Sequence, residues 1–369
     1  MACHAKPMRR TFAAAVVLAM AIVSGALIAR GSDELRSPLS RALATLPDVT
    51  LTANFTDWHQ VREKVGAPGV SSEDPEADRQ EALNAAYEDD LSAASGLVGS
   101  APIMVEPYGW SALDLEWEIF GQAREGAVIV AALDDRLDPD DVTAGLADVG
   151  YAEPDSAGDS GGVWQGGPDL LAAFDDTLTP LLEHVAVLAD ERLVVLSDAP
   201  GYVGRTVDTI TSDSGAMGGL ADVAATADPL DGAIAAIVHR PPRACAVTSF
   251  DTASTSDREL AAARFAEVGG VRPHDGLGFA IVPSDRGLEL VVTMRFESAA
   301  IAEAERGPRT DLARGPAIGQ GGTYGERFSV VDSGVQNTAL VLVMLPIEDR
   351  MSLVSDLVSS PLLFTGCDG

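Results

Sequence analysis

Residues 157–164 read Ala-Gly-Asp-Ser-Gly-Gly-Val-Trp, and Ser160 in their midst is the residue that its neighbours most strongly mark for chemistry. A serine becomes a nucleophile when a histidine takes its proton and a buried carboxylate holds that histidine. Beyond residue 30, the histidine ahead of Ser160 is His59, in Thr-Asp-Trp-His-Gln-Val-Arg-Glu, which reads as the start of a helix. Ser160 lies between Glu-Pro-Asp-Ser-Ala-Gly and Gln-Gly-Gly-Pro-Asp-Leu, a composition that predicts a loop.

The string Gly158-Asp159-Ser160-Gly161-Gly162 resembles the nucleophile segment of trypsin-like serine proteases. That resemblance is five residues long. The family also implies a histidine in an Ala-Ala-His-Cys context and an all-β double barrel, and His59 has no such context while helical patterns run through the chain. No catalytic residue is assigned. His184 precedes a strand, His239 ends one beside Arg240-Pro241-Pro242, and His274 sits in the turn Val-Arg-Pro-His-Asp-Gly. Their scatter offers no metal-ligand spacing, so neither a metal nor a cofactor is expected.

Three further motifs have plain structural readings. Asp134 to Asp141 (Asp-Asp-Arg-Leu-Asp-Pro-Asp-Asp) misses the alternating ligands, sixth-position glycine and twelfth-position glutamate of a calcium loop, and fits a helix start with Asp138 as N-cap and Pro139 at the first turn. Gly319 to Gly325 (Gly-Gln-Gly-Gly-Thr-Tyr-Gly) runs from loop to strand, whereas phosphate-cradling loops run from strand to helix. Arg240 to Arg243 (Arg-Pro-Pro-Arg) is a basic island whose prolines predict the exit of an edge strand and whose charge suits a nearby acidic surface.

The amino-terminal stretch sets the compartment. Lys6, Arg9 and Arg10 precede an uncharged run from Thr11 to Ala29, about 28 Å as a helix, close to the ~30 Å hydrocarbon core. Residues 1–30 are therefore expected to be a transmembrane anchor or a signal peptide, with the basic end in the cytoplasm and the rest outside. The apolar run continues past the small residues Ser24-Gly25-Ala26, which favours the uncleaved anchor. In an oxidising exterior the two remaining cysteines, Cys245 and Cys367, are expected to form a disulfide. The net charge of −31 excludes nucleic acid as a partner.

These features must rest on an α+β scaffold, with mostly antiparallel sheets covered by helices. Leu113, Leu115, Trp117 and Ile119 alternate with Asp114, Glu116 and Glu118, as in a half-buried strand, and Ala127–Leu133 forms its partner. Residues 278–282 and 288–296 repeat that hairpin, and helices near Asp138 and Ser298 follow. Hairpins at 185–198 and in Arg-Phe-Ser-Val-Val-Asp to Met-Leu (327–345) correspond, the first followed by a helix with Tyr202, Val203, Val207 and Ile210 and the second by one with Met351, Val354, Leu357 and Val358, as do strands near 49–56 and 233–239 and helices at 79–97 and 257–268. This order predicts an internal duplication of a β-α-β-β-α-β-β-α unit, with extra sequence in the first copy between about 150 and 184. The expected organisation is a stalk over 31–45, a first half over 46–220 and a second over 221–369.

The anchor, the stretch Ala-Leu-Ala-Thr-Leu-Pro-Asp-Val-Thr-Leu-Thr-Ala-Asn-Phe-Thr-Asp-Trp-His (42–59) and Ser-Asp-Leu-Val-Ser-Ser-Pro-Leu-Leu-Phe-Thr-Gly-Cys (355–367) resemble uncharacterised exported or membrane-anchored proteins of actinobacteria. That resemblance implies location and fold class and no activity. Scarcity of lysine amid abundant alanine and glycine agrees with a GC-rich genome. The function expected is a non-catalytic extracytoplasmic, cell-envelope domain binding a protein or small ligand; the alternative is an envelope hydrolase using acidic residues drawn from distant loops.

Overall fold

The computed structural model describes residues 36–154, 162–212, 214–347, 354–355 and 361–367. Among these, the chain from Pro38 onward belongs to one compact unit. Helix α1 (Pro38–Leu43) leads to β1 (Thr52–Thr56), followed by α2 (Trp58–Lys64), α3 (Glu76–Glu88) and α4 (Ala101–Tyr108). The hairpin β2 (Leu115–Gln122) and β3 (Ala127–Leu133) follows, then α5 (Pro139–Val149), β4 (Val163–Gln165), α6 (Pro168–Phe174), the hairpin β5 (His184–Leu188) and β6 (Leu193–Ser197), and α7 (Pro200–Ser212).

The second half repeats the order. Helix α8 (Ala221–Ala227) leads to β7 (Ala235–His239), then α9 (Arg243–Ala246) and α10 (Thr255–Glu267), the hairpin β8 (Gly276–Ser284) and β9 (Gly287–Arg295), α11 (Ala299–Leu312), and the hairpin β10 (Phe328–Gln336) and β11 (Ala339–Pro346). The strands form one antiparallel sheet in the order β10-β11-β9-β8-β7-β1-β2-β3-β6-β5-β4. Reading outward from the centre, β1-β2-β3-β6-β5 on one side matches β7-β8-β9-β11-β10 on the other. The duplication is thus visible in topology, and β4 and α6 are the extra elements of the first copy, inside the stretch where the sequence predicts added length.

The halves meet where β1 pairs with β7, from Thr52 opposite His239 to Thr56 opposite Ala235. Antiparallel neighbours are related by a local two-fold axis normal to the sheet, here through Asn54 and Ile237, so equivalent elements of both copies fall on the same face. One face is covered by α2 to α5 and α9 to α11, whose apolar residues join Ile129, Leu196, Ile237, Phe279 and Val292 of the sheet. The other carries α1, α7 and α8, with Leu43, Val203 and Val223 packed against Phe55, Val130 and Val238.

Local chemistry explains the helix boundaries. Asp138 caps α5 by accepting the Asp140 N–H, Pro139 occupies the first turn and Gly150 ends the helix in the left-handed region at φ 102°. Asp57 caps α2, and Ser254 and Ser298 cap α10 and α11. Asn337 turns the β10–β11 hairpin at φ 54°.

Several expectations need correction. Residues 38–43 of the proposed stalk are helix α1, with Leu39, Ala42 and Leu43 buried, because the second face of the sheet needs cover ahead of β1. The alternation at 113–119 is not a half-buried strand: Ala112–Asp114 is a short 3-10 turn, and a register shift between Leu115 and Trp117 sends Leu115 to one face and Trp117 and Ile119 to the other. Both faces being covered, Glu118 is buried as well. The prolines after His239 leave a central strand, not an edge strand, and sit just past its last ladder position, where no donor is required.

Helices α4 and α5 approach so closely that a Cβ on Gly145 would stand 2.5 Å from the Tyr108 carbonyl oxygen. Gly145→Ala is therefore expected to destabilise the fold by about 1–3 kcal/mol, although alanine gains up to about 1 kcal/mol of helix propensity. Urea midpoints of the two proteins check this, and a gain in stability would refute the contact.

Candidate functional site

The acidic run that suggested a cation loop is an ion-pair junction. Asp134 accepts Arg62 Nη2 at 2.7 Å and Arg136 Nε at 2.7 Å. Arg62 is 1% exposed and donates through Nη1 to the Leu113 and Leu115 carbonyls at 2.8 and 2.7 Å, which fastens α2 to the irregular start of β2. Asp138 is occupied in capping α5. The basic island is equally committed: Arg240 pairs with Asp222 at 3.2 Å and donates to the Asp48 carbonyl at 2.6 Å.

Two buried polar centres lie on the face covered by α2 to α5. The first surrounds Glu118 on β2, which accepts the Gly96 N–H at 2.7 Å. Its second oxygen lacks a hydrogen-bond partner, as do the Trp58 indole N–H and the Thr56 hydroxyl. Burial raises the Glu118 carboxyl above its ordinary range, against neighbouring donors such as the Gly96 N–H that pull it down. The carboxyl holds the 95–97 loop onto the sheet through Gly96; a catalytic role would need substrate access that a fully buried carboxyl lacks.

The second centre assembles residues that the sequence scatters. Cys245 on α9 and Cys367 in the C-terminal segment form a disulfide with Cα atoms 5.7 Å apart, as expected. His274, in the loop before β8, is 3% exposed, not the surface residue its turn suggests, because the C-terminal segment lies over it. Its Nε2 donates to the Thr365 carbonyl at 2.7 Å, which leaves the lone pair on Nδ1. Burial, with the charge of Arg309 adding to it, pushes the His274 pKa down to about 3. His239, at the end of β7, shares a 3.0 Å hydrogen bond with the Thr52 hydroxyl, and burial and Arg243 lower it to about 4.

Arg309 on α11 organises this region. It is fully buried, pairs with Glu305 at 3.3 Å, and donates to the carbonyls of Phe364, Gly366 and Arg272 at 3.0, 2.8 and 2.6 Å. Tyr324 adds a hydrogen bond from the Leu363 N–H at 2.9 Å, and Phe364 packs edge-on against the rings of Tyr324 and Phe328. The sequence offered no signal for Arg309, since an arginine four residues after a glutamate reads as an exposed helical pair.

Of the other residues singled out, Ser160 lies outside the described residues, His59 is exposed on α2, and His184 is half-buried at the start of β5. A cavity of about 20 Å³, room for roughly one water, is lined by Glu76, Arg79, Leu83, Val105 and Leu113 among others, with Glu76 as its carboxylate. It presents no pair of carboxylates. The glycines at 319, 321 and 322 all have positive φ in a connection that enters β10 through a 3-10 turn (Tyr324–Glu326), consistent with a turn segment.

Arg309→Ala would strand Glu305 and three carbonyls, with an expected loss of about 3–5 kcal/mol in urea unfolding. The pH profile has two opposed parts. His239 and His274 have folded pKa values below the unfolded value of about 6.5, so the stability they permit is complete above that pH and is lost as pH falls toward about 4 and then 3. Glu118 is raised, so its share is complete below about pH 4.3 and is lost as pH rises through its folded pKa. Glu118→Gln is expected to remove the second part alone, flattening the decline toward alkaline pH in urea midpoints; an unchanged profile would refute the assignment.

Comparison with protein families gives no matching family model, and no curated protein matches. A solved structure described as crystal form III of TP0453 is similar at 7% identity, with a TM-score of 0.35, covering 86% of this chain and 98% of that one.

Proposed function

We propose that the chain is a non-catalytic extracytoplasmic domain of the cell envelope that binds a protein, held to the membrane by residues 1–30 or released where they are cleaved. Those residues lie outside the described ones, and no helix of the described residues is long and apolar enough to cross a membrane. Support for an exported setting comes from the Cys245–Cys367 disulfide and the acidic charge.

The observation that carries the binding reading is a difference between the two copies. In the first, α7 lays Tyr202, Val203 and Val207 over the β3–β6–β5 part of the sheet. In the second, the segment after β11 departs: Val354 joins the core on the opposite face, and the N–H groups of Val354 and Ser355 bond to Asp90 of the first half, the latter at 3.0 Å. The expected counterpart of α7, with Met351, Val354, Leu357 and Val358, lies outside the described residues except for Val354, and the described residues provide no helix over β9, β11 and β10. Along β11, Val341, Val343 and Leu345 are half-buried, and Ile347 beyond them is 52% exposed.

That strip has the shape its twin presents to an amphipathic helix, and a partner protein offering such a helix is the occupant proposed. A small ligand fits it less well, since a ligand site is concave and this face is a sheet surface. The hydrolase alternative gains no support from the described carboxylates, whose buried members are engaged with arginines and backbone N–H groups.

A photo-crosslinking residue at Ile347 of the full chain, in its native envelope, tests the proposal. The expected result is an adduct with one partner protein that disappears when Val343→Asp is added. Crosslinks confined to a second copy, or to residues 1–35 or 348–360 of the same chain, would overturn it.

A further inference from the structure

Opening the Cys245–Cys367 bond would leave two thiols beside the buried imidazole of His274. Both sulfurs and a ring nitrogen of His274 lie within 4.8 Å of one another. Because Nε2–H donates to the Thr365 carbonyl, the free lone pair is on Nδ1, a buried atom without a hydrogen-bond partner, with the Gly276 backbone beside the ring. A metal-bound histidine has the same arrangement, its second N–H held by a backbone carbonyl that fixes tautomer and ring orientation. Phe296 packs edge-on to the ring at 6.4 Å and holds its plane.

We propose that the reduced protein binds one zinc ion through Cys245, Cys367 and His274, so that the same three residues are a disulfide with an idle imidazole when oxidised and a Cys2His zinc site when reduced. An external dithiol attacks the S–S bond; two electrons and two protons pass to the cysteines, and the dithiol becomes a disulfide. Zinc then displaces both thiol protons to solvent, and two thiolates neutralise its charge. Water completes the tetrahedron, as in zinc sites with three protein ligands.

Access and slack are both present. The two cysteines are half-buried while His274 is fully enclosed, so a reductant and a hydrated ion reach the sulfurs first. Zinc–sulfur bonds of about 2.3 Å require the sulfurs to separate to roughly 3.7 Å at tetrahedral angles. Cys367 lies one residue past Gly366, where the grip of Arg309 on the segment ends, so it can supply that movement while Thr365 still orients the imidazole. The positive Arg309 near the ring is paired with Glu305.

The test is titration of the phosphine-reduced full-length protein with Zn²⁺ against a chromophoric chelator, with Co²⁺ as a spectroscopic stand-in. Expected are one zinc per reduced chain, no comparable binding by the oxidised protein, a thiolate-to-cobalt charge-transfer band, and at least about tenfold weaker binding in His274→Ala. Equal affinity in the oxidised protein, absence of zinc binding by the reduced one, or wild-type affinity in His274→Ala would each overturn the proposal. Because a cavity at His274 can unfold the chain, Cys367→Ser is the second variant: Arg309 still holds its C-terminal segment, and wild-type zinc affinity there would overturn the proposal independently.

Discussion

The antiparallel pairing of β1 with β7 is the constraint on which the rest depends. Its five residue pairs make one sheet from two copies of a unit that would otherwise each expose a long central edge. The local two-fold axis through Asn54 and Ile237 then decides which helices share a face. It sets α5 and α11 on one side and α1 and α8 on the other, so each face of the sheet carries a core running across the seam. Separate domains would need two closed cores; this geometry allows only shared ones.

A sheet covered on both faces leaves little tolerance for polar groups, and those present near the seam are accordingly informative. Arg62 and Arg309 are both fully buried, yet each has carbonyl oxygens and a carboxylate within hydrogen-bonding distance. Buried charges of this kind add specificity more surely than net stability. Arg62 fixes the bulged start of β2, while Arg309 fixes where the C-terminal segment lies. Glu118 differs because its remaining oxygen is unsatisfied, and burial raises its carboxyl above the ordinary range.

Much of this was legible in the sequence wherever one local rule dominated. Hairpins announced themselves through apolar runs broken at Asp190-Glu191 and Ser284–Gly287, and α5 through Asp138, Pro139 and Gly150. The duplication could be read from element order without residue identity. What was not legible depended on contacts far apart in the chain. Nothing in Val-Arg-Pro-His-Asp-Gly says that a segment ninety-one residues later will cover His274, and nothing near Glu305 says that Arg309 faces inward. Glu118 was misread because alternation reports on one covered face, and the second cover, from α2 and the 95–97 loop, comes from elsewhere.

The copies diverge at their ends, and both proposals rest on that divergence. The first copy closes its outer strands with α7 and adds β4 and α6 beyond them. The second directs its last segment across the other face, where Asp90, Tyr324, Arg309 and the Cys245–Cys367 bond hold successive points of it. A cross-link spanning 122 residues removes on the order of 4–5 kcal/mol of unfolded-state entropy in the chain-entropy model. That restraint keeps residues 361–367 over His274. Thr365 thus covers the histidine on one face, while Val341, Val343 and Leu345 stay half-buried on the other.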